Sequence, residues 1–157
     1  MRKIKNPFIG AENYHCFACA PHHPFGLKME FFEDGDELIS QWKPDEKFQG
    51  WGIILHGGIQ TTLMDEIAAW TVFVKLKTAG VTIKLETFFK RPVLLNQEKI
   101  VIKAVVKDVE NDVASIHVKI FDNKEHLCTE GFIYYKLFPV EKAKTKLKYP
   151  GIEKFYM

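Results

Sequence analysis

One long helical pattern stands alone in a chain whose other segments are composed for strands. Ile59, Leu63, Ile67, Trp70 and Val74 recur at spacings of four and three, which predicts an amphipathic helix over about residues 57–77. Gly80 reads as the glycine that stops it. Before it, residues 27–33 and 37–43 read as two strands joined by a tight turn at Asp34-Gly35-Asp36. After it, residues 81–90, 99–109, 113–122 and 126–137 carry β-branched and aromatic residues separated by short turns. A single helix with six strands around it in sequence implies an α+β fold, an antiparallel sheet wrapped around that helix.

A chain of 157 residues is expected to fold as one domain over 1–157, with an irregular segment over 1–26 and a C-terminal tail over 138–157. The core is rich in aromatic side chains, with 13 Phe, 5 Tyr and 3 Trp, enough apolar area to offset ordering entropy without disulfide or metal staples. A net charge of +2 gives little steering toward nucleic acid. Lys142, Lys144, Lys146, Lys148 and Lys154 make the tail basic, a feature that can meet a ligand phosphate but is expected to be a solvated tail. The basic N-terminus is followed by no apolar stretch, and the longest uncharged run, residues 48–64, is glycine-rich and polar, so neither a secretory signal nor a membrane span is expected. Three cysteines are too few and too odd in number for a secreted disulfide framework, and the expected location is the cytoplasm.

The start of the helix carries the chemistry. His56-Gly57-Gly58 places paired glycines where a ligand can approach free backbone amides, and the helix dipole adds a positive end for a developing oxyanion. Asp65 lies about 200° around the helix from Leu63, at about 100° per residue, away from the apolar stripe. It shares its face with Thr61, Ala68, Ala69 and Val72. Aspartate is a poor helix-interior residue, so its presence there calls for a reason besides propensity. Two readings are open from the residues alone. Asp65 and Glu66 form a solvated pair on an exposed face, or Asp65 attacks a thioester or deprotonates a water beside the oxyanion donors.

Four segments in order resemble the hotdog-fold thioesterase superfamily, specifically the phenylacetate-pathway and 4-hydroxybenzoyl-CoA thioesterase-like enzymes with a Cys-x-x-Cys N-terminus. They are Cys16-Phe-Ala-Cys-Ala with His23-Pro24-Phe-Gly-Leu-Lys28, Phe48-Gln-Gly-Trp51, His56-Gly57-Gly58 with Asp65 seven residues beyond, and Phe89-Lys-Arg-Pro-Val93. The resemblance implies a hotdog fold, a homodimer or dimer of dimers with its active site between subunits, and hydrolysis of an acyl-CoA thioester to a carboxylic acid and free CoA. It implies no cofactor beyond coenzyme A as part of the substrate. It casts Asp65 as the catalytic carboxylate, Gly57 as the amide that polarises the carbonyl, and His56 as the residue that orients the loop or contacts the acyl group. Gly58 and Thr61 then line the substrate site. Some relatives carry Asn or Gln about six residues before the histidine. Here Gly50 holds that place, and the adjoining Gln49 is the candidate for substrate contact.

Three further features have two readings each. Arg91 either forks onto a CoA phosphate or is a strand-end surface residue. Trp51, Trp70 and Phe73 either line an acyl pocket or belong to the core. Cys16 and Cys19, with His15, His22 and His23 nearby, have zinc-like spacing but no second Cys-x-x-Cys pair, which favours packing and a metal-free site. At the level of function the alternative to an enzyme is a hotdog protein that binds acyl-CoA as a sensor or scaffold, because a fold does not fix a function.

Overall fold

The computed structural model describes residues 1–156. Its strands are β1 (Arg2–Ile4), β2 (Phe31–Asp34), β3 (Glu37–Trp42), β4 (Gly80–Phe89), β5 (Ile100–Glu110), β6 (Val113–Phe121) and β7 (Leu127–Leu137). The helices are α1 (Gly57–Lys75) and α2 (Val140–Leu147). The strands form one seven-stranded sheet in the order β1-β2-β3-β5-β6-β7-β4. Every pairing is antiparallel. Between β3 and β4 the chain crosses from the middle of the sheet to its far edge, and α1 makes that crossing over one face. This is the helix wrapped in a sheet expected from the sequence, the hotdog fold.

Two sequence expectations are corrected at their edges by backbone conformation. The strand expected from residue 27 starts at Phe31, because Lys28 adopts φ 54°. The amides of Leu27 and Met29 instead donate to Phe17 O and Ala18 O, each at 2.9 Å, tying this stretch to the cysteine loop. The helix ends at Lys75, and Lys77, with φ 56°, makes the left-handed turn that Gly80 was expected to make. Gly80 opens β4, where a Cβ would stand 2.6 Å from Lys136 O, so its role is close strand approach rather than capping.

The expected stripe of α1 is the core: Leu63, Ile67, Trp70 and Val74 are buried, and Ile59 is half-buried. Burial reaches further round than the stripe. Met64, Ala68 and Val72 are also buried, so the face assigned to Asp65 is an interior seam and not an open surface. Gly131 of β7 marks how tightly the layers meet, since a Cβ there would fall 2.3 Å from Met64 Cε and 2.6 Å from Glu86 O.

Residues 138–157, expected as a solvated tail, carry α2 and a 3-10 turn over Ile152–Phe155. The lysines of α2 do face solvent, but Ala143, Tyr149 and Phe155 are buried. Tyr149 donates its hydroxyl to Phe73 O at 2.9 Å, and Lys5 N–H donates to Phe155 O at 2.9 Å. Apolar anchors among the lysines thus return the chain end to the core. Among the described residues no helix is long and apolar enough to cross a membrane.

Candidate active site

The loop before α1 is closed by its own backbone. His56 N–H donates to Phe48 O at 3.0 Å, Leu55 N–H to Val93 O at 2.8 Å, and Gly50 N–H to Ile54 O at 2.9 Å. Gly50 is required by contact, because a Cβ there would lie 2.9 Å from His56 Cα. Gln49 is exposed and donates Nε2 to Gly52 O at 2.6 Å, so it braces the loop. Trp51 is 87% exposed at the loop's tip, whereas Trp70 is core.

His56 is the N-cap of α1. Its Nδ1 accepts the Gly58 amide at 2.9 Å, which puts the proton of the neutral ring on Nε2. The side chain therefore orients the helix start and satisfies the second free amide, while the Gly57 N–H has no acceptor among the described residues. A Cβ at Gly57 would come 3.3 Å from the Phe89 ring. A free amide with a helix dipole behind it can bind an anion, and an aromatic ring lies beside this one.

Asp65 is half-buried on the seam between α1 and the edge strand β4. Its Oδ1 accepts the Tyr135 hydroxyl at 2.7 Å and the Thr82 hydroxyl at 2.9 Å. Tyr135 O–H also reaches the Asp65 backbone carbonyl at 2.7 Å. Burial, with the Asp65 charge adding to it, pushes the Tyr135 phenol far above the usual tyrosine range, so it stays a donor. Oδ2 accepts no hydrogen bond among the described residues. The solvated-pair reading is not what the structure shows. Glu66 points elsewhere, accepting Trp70 Nε1 at 3.1 Å.

A bulge in β4 brings these partners together. Thr82, Thr87 and Phe89 all face α1, toward Asp65, Thr61 and Gly57 respectively, although 82 differs in parity from 87 and 89. The register shift between Thr82 and Lys84 reconciles them, since one extra residue swaps the faces of a strand. Thr61 donates to Gly57 O at 3.1 Å and sits 3.5 Å from Thr87 Oγ1. Arg91 is exposed beyond the end of β4, anchored by its own amide to Cys128 O at 2.9 Å.

Tyr135 and Thr82 escaped the reading of the sequence. One signal for Tyr135 was present: β7 alternates, placing Gly131, Ile133 and Tyr135 on the buried face, and a buried tyrosine hydroxyl needs a polar partner. Thr82 carried none, because the bulge that aims it is not written in any local pattern.

Within one chain the two halves of the chemistry are apart. Asp65 is eight residues beyond Gly57, about 12 Å along a helix rising about 1.5 Å per residue. A carbonyl polarised by the Gly57 amide is thus out of reach of the same chain's Asp65.

Residues 53–129 match the sequence model of the Thioesterase superfamily. No curated protein matches the chain. Solved structures do. A thioesterase superfamily protein aligns with TM-score 0.71 at 17% identity over 78% of this chain, which spans 60% of that protein's length. A hypothetical thioesterase protein with coenzyme A from Streptococcus pneumoniae TIGR4 aligns with TM-score 0.66 at 17% identity, over 71% of this chain and 90% of that one. A Streptococcus mutans UA159 protein bound to acetyl CoA aligns with TM-score 0.67 at 12% identity, over 83% of this chain and 98% of that one. By the sequence match across its helix and central strands and by its architecture, this chain carries the hotdog fold of the thioesterase superfamily.

Proposed function

We propose that the protein is a cytoplasmic acyl-CoA thioesterase whose active site is shared by two copies of the chain. The observation that carries the reading is Asp65, a carboxylate with Oδ1 held by Tyr135 and Thr82 and Oδ2 without a partner among the described residues. Groups fixed this way need no reorganisation when the reaction begins. The CoA found with the pneumococcal relative and the acetyl CoA bound by the streptococcal one support the ligand class.

The edge strand supports the pairing. Among the described residues β4 bonds to β7 on one side only, and Ile83 and Phe89 are 55% and 56% exposed on it, an edge that invites another strand. A second copy added antiparallel along β4 sets the two α1 helices side by side about a two-fold axis. With that axis near Thr61, midway between Gly57 and Asp65, each Gly57 amide faces the other copy's carboxylate. The 12 Å gap within one chain becomes a contact between two.

In the site so formed, the thioester carbonyl oxygen accepts the Gly57 N–H. Asp65 Oδ2 either takes a proton from the attacking water or attacks the carbonyl carbon itself, giving an anhydride that water then opens. Both routes break the carbon–sulfur bond and release the carboxylic acid and the CoA thiol. Gly58 and Thr61 shape the floor of the site. Arg91 and Gln49 stand on exposed ground at its rim, Arg91 as the candidate for a CoA phosphate.

The test is release of free thiol and of the matching acid from aromatic, short-chain and medium-chain acyl-CoA esters. Turnover of at least one ester is expected. Binding of acyl-CoA with no cleavage of any of them would make the protein a non-catalytic binder. Tyr135→Phe keeps the ring and removes one hydrogen bond to the carboxylate. Such a bond to a charged group is worth about 1.5–3 kcal/mol, so kcat is expected to fall about 10- to 100-fold with KM little changed. A rise in KM at constant kcat would assign Tyr135 to substrate binding instead.

A further inference from the structure

The N-terminal segment and α1 meet at a cluster that acyl transfer does not use. Cys16 and Cys19 share one tight turn, closed by Ala20 N–H to Cys16 O at 3.0 Å. Cys19 N–H donates to Cys16 Sγ at 3.1 Å, and the two sulfurs face each other at 2.6 Å. From α1, Glu66 Oε1 lies 3.4 Å from Cys16 Sγ and accepts Trp70 Nε1 at 3.1 Å. Two sulfurs and a carboxylate oxygen thus lie within 4.8 Å of one another. The second Cys-x-x-Cys pair missing from the sequence has a counterpart here, a donor brought from 50 residues away.

The charges at this point are one-sided. Glu66 is half-buried, yet no basic side chain among the described residues forms an ion pair with it. Carboxylates removed from water are normally paired or bound to a metal. The neighbouring histidines do not fill the role. His22 Nε2 is engaged with Tyr14 O at 2.9 Å, His23 Nδ1 accepts Phe25 N–H at 3.2 Å, and His15 is exposed against the His22 ring.

We infer that Cys16, Cys19 and Glu66 form a binding site for a divalent cation of the zinc type, with water as the fourth ligand. Two thiolates select such a cation over magnesium or calcium, which take oxygen ligands. Tetrahedral bonds of about 2.3 Å to sulfur and about 2.1 Å to oxygen separate two sulfurs by about 3.8 Å and a sulfur from an oxygen by about 3.6 Å. The Cys16 to Glu66 separation of 3.4 Å is already close to that. The sulfurs, at 2.6 Å, must part by about 1 Å, a side-chain rotation open to the half-buried Cys16. Binding displaces the two thiol protons to solvent.

The surrounding groups suit this ligand set. The Tyr14 hydroxyl lies 3.0 Å from Cys19 Sγ and accepts Asn6 Nδ2 at 2.8 Å, which leaves its own proton for the sulfur. With Cys19 N–H on Cys16 and the Trp70 indole on Glu66, each ligand has a donor that orients it. A cation here would cross-link the N-terminal segment to α1 at the residue next to Asp65.

The test is titration of the reduced, chelator-stripped full chain with Zn²⁺, and with Co²⁺ as a spectroscopic probe. One cation per chain is expected, with a thiolate-to-cobalt charge-transfer band and proton release. The band should vanish in the Cys16→Ser/Cys19→Ser double variant. Glu66→Gln, whose amide oxygen can still accept the Trp70 indole, should weaken binding at least 10-fold. Three results would overturn the site: reduced wild type that gives no charge-transfer band, unchanged uptake in the double variant, which would put the ion on surface histidines, or unchanged affinity in Glu66→Gln. If the double variant fails to fold, the wild-type band and the Glu66→Gln affinity decide between them.

Discussion

Asp65→Asn is expected to lower kcat/KM for thioester hydrolysis by about 10²- to 10⁴-fold, the range removed with a general base or its equivalent. The substitution keeps the shape of the side chain. Tyr135 and Thr82 can still donate to the amide oxygen at the Oδ1 position, so the seam between α1 and β4 has no reason to open. Thermal unfolding should therefore stay close to wild type while turnover collapses, measured as thiol released per folded chain. Activity within a few-fold of wild type would remove Asp65 from the chemistry and leave its two hydrogen bonds as a packing device.

The second large effect is on stability. Trp70 is 1% exposed and stacks on Phe31 with ring centroids 4.4 Å apart. It meets Phe8 and Phe155 edge-on and holds Glu66 through its indole N–H. It thereby joins α1 to β2, to the N-terminal segment and to the returning C-terminus at once. Trp70→Ala is expected to cost about 3–5 kcal/mol through lost burial and the cavity left behind. For a chain of this size the unfolding midpoint should fall by about 6–20 °C in a thermal melt. A drop under about 2 °C would mean that the aromatic cluster collapses onto the vacated space, and that the chain ends contribute little to the fold.

The two effects draw on different kinds of information. Trp70 was legible in part: periodicity set it on the stripe with Leu63, Ile67 and Val74, and of its two readings, pocket or core, the core is the one found. The strands were legible for the same reason, and the turn at Gly35 is taken with φ 59° at the position its Asp-Gly pair marked. What was not legible rests on residues that act against their type. Lys28 and Lys77 take left-handed conformations, and no propensity places a lysine there, so one strand starts late and one helix stops early. Tyr149 and Phe155 lie among lysines that outweigh them in any composition window, so the chain end read as solvated although those two rings are buried.

The candidate site divides in the same way. Its helix-borne residues, His56, Gly57, Gly58, Thr61 and Asp65, lie in one short segment whose glycines and misplaced aspartate are visible without a fold. Their partners come from elsewhere. Tyr135 is 70 residues from Asp65 and Thr82 is 17, reached across a sheet and through a bulge. Such contacts follow from topology, which local pattern does not encode. The same holds for Glu66, which joins the cysteine turn only because α1 crosses beneath the N-terminal segment.

In the proposed site the carboxylate of one copy acts on a carbonyl held by the other copy's helix end. Two single variants, each expected to be inactive, test it together: Asp65→Asn, and Gly57→Pro, which removes the oxyanion amide at the first helical position, where proline fits. His56, at φ −54° and ψ 131°, already has the conformation a following proline requires. After subunit exchange in an equimolar mixture, half of the dimers pair one variant with the other, and each of these has one intact site of two, so roughly a quarter of wild-type thiol release should return. Exchanged, folded dimers that release no thiol would contradict a site shared between copies.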